Sequence, residues 1–267
     1  SGWTQARGWG WLTTTSVLIT NGAVTAGYNA ARPQFHINAA GIGFAVWDQF
    51  NGTRNNIWAN RYNSATQTWG TAVQLSASAN LSADNPDVAV DSEGNAMAVW
   101  HHHNGTVVHP WAAYYSQSSG TWGAPADLST DYANHQAFLR VEMDAEGNAF
   151  AVWQAETAGI PNCVVNRYVK GVGWAANPTP LEVAAGWCTA NDIAVAPSGD
   201  AMATFAQVNG AYLRAYACAY NRSSNTWCAS PTLLSTTENL GPIQDGLMPY
   251  IHVDGAAAGN GDFFATW

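Results

Sequence analysis

At 267 residues and 47% hydrophobic, the chain carries enough apolar surface for one large all-β domain or two ordinary domains, which excludes a disordered polymer. Only 10% of residues are charged, Lys170 is the sole lysine, and 9 basic against 18 acidic residues give a net charge of -9, a balance that repels phosphate backbones and argues against nucleic acid as a partner. No apolar run approaches the ~20 residues of a membrane-spanning helix and no signal peptide stands at Ser1, so the expectation is a soluble, processed chain without direct membrane insertion.

The first stretch, "RGWGWLTTTSVLI" (7–19), precedes a repeat that begins at Pro33. Trp47, Trp100 and Trp153 are spaced by 53 residues, and Phe205 takes the same place 52 residues later. A second series, Trp69, Trp122, Trp174 and Trp227, keeps spacings of 53, 52 and 53. Two aromatic series with one period establish a repeat. The phrase "DSEGNAMAVW" (91–100) also returns almost intact as "DAEGNAFAVW" (144–153).

Within one unit, "PDVAVD" (86–91) alternates as a strand, the D-x-x-G-N turn reverses it, and "AMAVWH" (96–101) alternates again as its hairpin partner. Asp can bond nearby backbone amides while Gly takes positive φ, which suits both to the turn. A polar loop containing "NGT" comes next, then a third strand such as "VVHPWAAYYS" or "NIWANRYN", and a fourth begins at the second tryptophan, as in "TWGAPADLS". Four antiparallel strands every ~50 residues describe a propeller blade.

The units run over about 33–85, 86–138, 139–190 and 191–248, and a fifth opens at Pro249 but stops at Trp267 after two strands. The missing half matches 7–19, so the expected fold is a single five-bladed β-propeller of four-stranded antiparallel blades, its last blade shared by 249–267 and 1–32. Joining Trp267 to Trp9 leaves 9 residues where Trp100 to Trp122 spans 22, so the closing blade has a short third strand or none.

The P-x-V-A-V-D-x-x-G-N pattern resembles the blade opening of NHL-type propellers, and five short blades are similar to the tachylectin-type lectin propeller. That resemblance implies a binding propeller with lectin-like function. The D-x-x-G turn departs from the spacing of the sialidase Asp-box.

In such a fold the first strand of each blade lines the channel, and aligning the five strands gives two polar rings. The outer ring is Gln34, Asp87, Arg140, Asp192 and Tyr250; two residues inward lie His36, Ala89, Glu142, Ala194 and His252. The alternate positions, Phe35, Val88, Val141, Ile193 and Ile251, are apolar, as packing requires. The polar rings have two readings: a water-filled mouth where Arg140 pairs with Asp87 or Asp192, or a ligand pocket. Asp87, Glu142 and Asp192 would be the carboxylates of a glycosidase-type site, since two acids about 5–9 Å apart suffice for hydrolysis. No G-x-S-x-G, phosphate loop or HExxH accompanies them.

His101, His102, His103 and His109 are expected in the loop after a second strand, with His135 just before the next blade. His101, His103, His109 and His135 are therefore candidate Zn or Cu ligands, as are His36, Glu142 and His252 at the channel; Ca is the third metal left open. Against this, the sibling loops read "DQF" and "QAE", which makes a solvated tract the plainer alternative. Trp187, in a loop on the candidate binding face, could stack on a sugar ring.

Four cysteines without CxxC spacing suggest an exported protein with two disulfides. Cys218–Cys228 would flank the turn between a third and a fourth strand, and Cys163–Cys188 would join two loops of one blade. The sequons at Asn51, Asn80, Asn104 and Asn221 matter only in a glycosylating host. The sequence thus points to a secreted, periplasmic or cell-surface propeller that recognises glycan or another extracellular ligand. A hydrolase or metal-dependent protein using the channel mouth, and an interaction domain of a larger surface protein, are the competing readings.

Overall fold

The computed structural model describes residues 19–20, 29–76, 81–103, 105, 107–128, 137–157, 159–182, 187–210, 212–235, 254–257 and 261–266. Every regular element among them is a β-strand, and four sheets repeat one design. The first contains β1 (Ala30–Ile37), β2 (Ile42–Phe50), β3 (Asn55–Asn63), β4 (Thr68–Trp69) and β5 (Val73–Gln74). The second contains β6 (Ala83–Val90), β7 (Ala96–His103), β8 (Val108–Ser116), β9 (Thr121–Trp122) and β10 (Ala126–Asp127). The third contains β11 (Ala137–Met143), β12 (Ala149–Thr157), β13 (Ile160–Val169), β14 (Gly173–Trp174) and β15 (Thr179–Pro180). The fourth contains β16 (Cys188–Val195), β17 (Ala201–Asn209), β18 (Tyr212–Asn221), β19 (Thr226–Trp227) and β20 (Thr232–Leu233). A hairpin of β21 (Asp254–Ala257) and β22 (Phe263–Thr266) comes last. The expected fourth strand is two short pieces in each sheet, both pairing with the third strand.

The repeated phrase builds one device twice. Asp91 Oδ1 accepts from the amides of Glu93 (2.9 Å) and Asn95 (2.8 Å), and its Oδ2 accepts from Asn95 Nδ2 (2.6 Å). Asn95 Oδ1 then accepts from the Gln117 amide at 2.9 Å, tying the β6–β7 turn to the turn after β8. Asp144, Glu146, Asn148 and the Lys170 amide repeat the set at 3.0, 2.8, 2.7 and 3.1 Å. Gly94 and Gly147 stand at φ 89° and 87°, which a side chain adopts only with strain. Buried carboxylates thus satisfy turn amides that would otherwise be orphaned.

Consecutive sheets stack face to face as propeller blades do: β6 packs on the first sheet, β11 on the second, β16 on the third and β21 on the fourth. Members of both tryptophan series serve these interfaces. Trp100, Trp153 and Phe205 are buried in the cores between sheets, and Trp47 is buried as well. In the second series, Trp122 and Tyr115 close over Phe44 of the preceding sheet (5.5 and 4.7 Å between ring centroids), and Trp227 and Tyr220 over Phe150 (5.7 and 4.9 Å). Aromatic contacts of this kind exceed what buried area alone supplies.

Each inner strand carries the same bulge, between Ala31 and Gln34, Asp84 and Asp87, Ala137 and Arg140, and Thr189 and Asp192. Pro33 and Pro86 fall inside it, where no ladder amide is needed. The strands therefore start about three residues before the expected prolines. Both disulfides form as paired from the sequence, with Cα separations of 5.4 Å for Cys163–Cys188 and 5.5 Å for Cys218–Cys228. Cys188, however, opens β16, so its bridge joins the third sheet to the fourth and not two loops of one blade. The closure by 1–18 and by 249–253 lies outside the described residues.

Candidate functional site

The common register fixes which residues are equivalent from sheet to sheet. Gln34, Asp87, Arg140 and Asp192 pair with Val46, Val99, Val152 and Thr204, so they hold equivalent positions on the four inner strands. His36, Ala89, Glu142 and Ala194 hold the next such set. In the fifth unit the register overturns the expected members. Ala257 pairs with Phe263 as Val90 pairs with Ala96, which gives the outer position to Asp254 and the inner to Ala256. Tyr250 and His252, themselves outside the described residues, are four positions too early. Aligning Pro249 with Pro86 misplaces them; counting back from Trp267 across a five-residue turn gives Asp254.

Two ring members also lace neighbouring sheets together. The Val90 amide donates to His36 Nδ1 (2.9 Å), and the Val141 amide donates to Asp87 Oδ2 (3.1 Å). Because Nδ1 accepts, the His36 proton sits on Nε2, and burial lowers its pKa further below the ordinary value. Burial pushes the Asp87 pKa up to about 6 against the attraction of Arg140, and pushes Glu142 up to about 8 with help from the charges of Asp87 and Asp192. Three sheets thus bring mutually interacting carboxyls together, and burial holds the Glu142 pKa well above the ordinary carboxylate range. Pairs of acids with separated pKa values are what acid–base chemistry uses.

The histidine tract is not a loop. β7 continues three residues past Trp100, so His101, His102 and His103 are strand residues opposite Asp84, Ala83 and the segment before them. Period-two alternation then divides them between the two faces of the sheet. His101 and His103 approach Asp84 (3.9 and 3.2 Å), whereas His102 packs on Trp111 (4.8 Å) and His109 bonds Asp127 Oδ2 (2.8 Å). Burial drives the His101 pKa down to about 4, so it is neutral, with Asn85 Nδ2 on its Nδ1 at 3.3 Å. The expected Zn or Cu set is therefore split, and His135 lies outside the described residues. Among the described residues no group of three His, Cys, Asp or Glu is arranged to hold a metal ion, Ca included.

Sequence reasoning missed the ion network at the rim. Arg32, held at φ 50° in the first bulge, clasps Asp48 through two bonds (2.8 and 3.2 Å) and reaches Asp84 of the next sheet at 3.6 Å. Its signal is the aligned column Asp48, His101, Gln154 and Ala206, which changes chemistry from sheet to sheet. Trp187 is 44% exposed on this face, and Phe50, Ile160 and Tyr212, at the ends of the strand 2 to 3 connections, are exposed beside the same rim.

No family model and no curated protein matches this sequence. Solved structures match by shape. The α-L-arabinanase of Penicillium chrysogenum, solved with arabinobiose, is 10% identical with a TM-score of 0.54, over 89% of this chain and 74% of that one. A polysaccharide lyase acting on ulvan is 10% identical with a TM-score of 0.54, over 73% and 54% of the two chains. The NanB sialidase of Streptococcus pneumoniae is 9% identical with a TM-score of 0.52, over 86% and 54%. The chain thus spans about half the length of the lyase and the sialidase. Likeness at this identity shows the fold: an all-β propeller of repeated antiparallel sheets, shared with carbohydrate-active proteins.

Proposed function

We propose that this chain is an extracytoplasmic, five-bladed propeller domain, its last blade shared by 249–267 and 1–32, that recognises glycan at its channel mouth. The observation that carries the reading is the convergence of Asp87, Arg140, Glu142 and Asp192 from three successive inner strands, where burial, reinforced by Asp87 and Asp192, raises the Glu142 pKa to about 8. Of these groups Asp87 also bonds across to a neighbouring strand, through the Val141 amide. Sugars present adjacent donors and acceptors on an apolar ring, and the mouth offers carboxylates, a protonated carboxyl and a guanidinium under a rim with Trp187. Two disulfides fit folding in an oxidising compartment, whether secretion, periplasm or cell surface is the destination. The carbohydrate-active neighbours support the same class of ligand.

A second reading is favoured by one observation. The separated pKa values of Glu142 and Asp87 suit hydrolysis, with Glu142 as acid and Asp87 or Asp192 as base or nucleophile. Screening neutral, cationic and anionic oligosaccharides by calorimetry tests both readings. Because acidic groups outnumber Arg140 at the mouth, neutral and amino sugars should bind more tightly than uronates. Asp192→Asn and Trp187→Ala should each weaken a true ligand roughly tenfold. Sugar release abolished by Glu142→Gln would favour the hydrolase. No saturable binding to any member below the millimolar range would overturn both and leave a protein-interaction domain.

A further inference from the structure

We infer that the β21–β22 hairpin seats Phe264 against Tyr62 and Trp69 of the first sheet, so that one aromatic contact closes the ring. This rests on the five-bladed reading and names the interface that reading requires.

One aromatic interface occurs twice between successive sheets, and its parts are present a third time. Phe44 stands three residues before Trp47 and Phe150 three before Trp153, and each is covered by a Tyr–Trp pair of the following sheet. Phe264 stands three before Trp267, and its pairing with Ala256 repeats that of Phe44 with His36. On the other side, Tyr62 and Trp69 are already assembled at 5.1 Å, matching Tyr115–Trp122 at 5.4 Å and Tyr220–Trp227 at 5.3 Å. Tyr115 and Tyr220, beneath a phenylalanine of the preceding sheet, are buried; Tyr62 is only half-buried.

The apolar faces behind these rings agree. Val88, Val141 and Ile193 are buried against a preceding sheet, whereas Phe35 at the same register is 51% exposed and Phe264 is 63% exposed. The hairpin already packs on β16 and β17, so it stands where the sheet preceding the first must stand. The Asn60 amide donates to the Ile19 carbonyl at 2.7 Å, which brings Ile19 to the third strand of the first sheet.

The test is a double-mutant cycle on unfolding by urea, with Phe264→Ala, Trp69→Ala and the double variant, read alongside sedimentation and small-angle scattering. The expected result is a monomeric closed ring in which the two substitutions couple by about threefold to tenfold in the unfolding constant. If Trp69→Ala does not fold, Phe264→Leu with Tyr62→Leu supplies the cycle. A closed monomer without coupling overturns the seat and spares the five-bladed reading. An open arc overturns both. Coupling that appears only in a dimer makes a second copy the occupant and overturns the intramolecular seat. Neither readout involves a ligand, so failure of the glycan reading is separately visible.

Discussion

Glu142→Gln replaces a carboxyl held protonated at the mouth with an amide of the same shape that cannot ionise. In the folded chain burial, reinforced by Asp87 and Asp192, moves its pKa from the ordinary 4.5 to about 8. The folded state then binds a proton that the unfolded chain has released, so stability falls as pH rises from about 4.5 through about 8. Fully developed, that penalty is roughly 3–5 kcal/mol, the lower figure allowing for water in the channel. Urea titrations followed by tryptophan fluorescence at steps from about pH 5 to pH 9 measure it. The two proteins should have similar stability near the acid end, and the variant should be more stable by about 3 kcal/mol at the alkaline end. Asp87, raised to about 6, leaves a smaller decline in both curves below that pH. Parallel curves would refute the burial and coupling assigned to Glu142.

Asp144→Ala removes the acceptor of three turn bonds and should cost roughly 2–4 kcal/mol in thermal or urea unfolding; a loss under about 0.5 kcal/mol would contradict the turn's role. A Cβ on Gly43 would meet Phe35 Cζ at 2.7 Å, so Gly43→Ala should destabilise by about 1–2 kcal/mol. Adding Phe35→Val should recover much of that, because the next sheet pairs the smaller Val88 with Ala98 beside Ala96; a double variant weaker than the single would refute the size match. Replacing both Cys163 and Cys188 with alanine opens a 25-residue separation and should cost about 3 kcal/mol, read as a lower urea midpoint.

The parts of this molecule that repeat were legible in its sequence, because two aromatic series and one turn phrase are copied wherever blades must pack alike. The disulfide partners and the equivalent positions of Gln34, Asp87, Arg140 and Asp192 on their strands come from aligning those copies. What the sequence concealed were positions where register, not composition, decides. His101 looks like loop material, yet two more ladder pairs with β6 past Trp100 bury it beside Asp84. Pro33 and Pro86 read as strand starts, but a bulge lets the strand run through them. Tyr250 reads as a ring member, but the turn at Gly261, with φ 90°, fixes the fifth hairpin's register and moves Asp254 into its place. The bond from the Val90 amide to His36 has no sequence signature at all, since it joins residues 54 apart through packing between sheets.

The central claim is that glycan is held at the channel mouth and not on the face built from the D-x-x-G-N turns. Hydrogen exchange with and without the oligosaccharide that binds most tightly tests it directly. The account predicts added protection in β1, β6, β11 and β16 around Gln34, Asp87, Arg140 and Asp192, and in the segment around Trp187, with the turns at Asp91 and Asp144 unchanged. Protection confined to those turns, or spread over the outer strands with the inner ones unaffected, would contradict it.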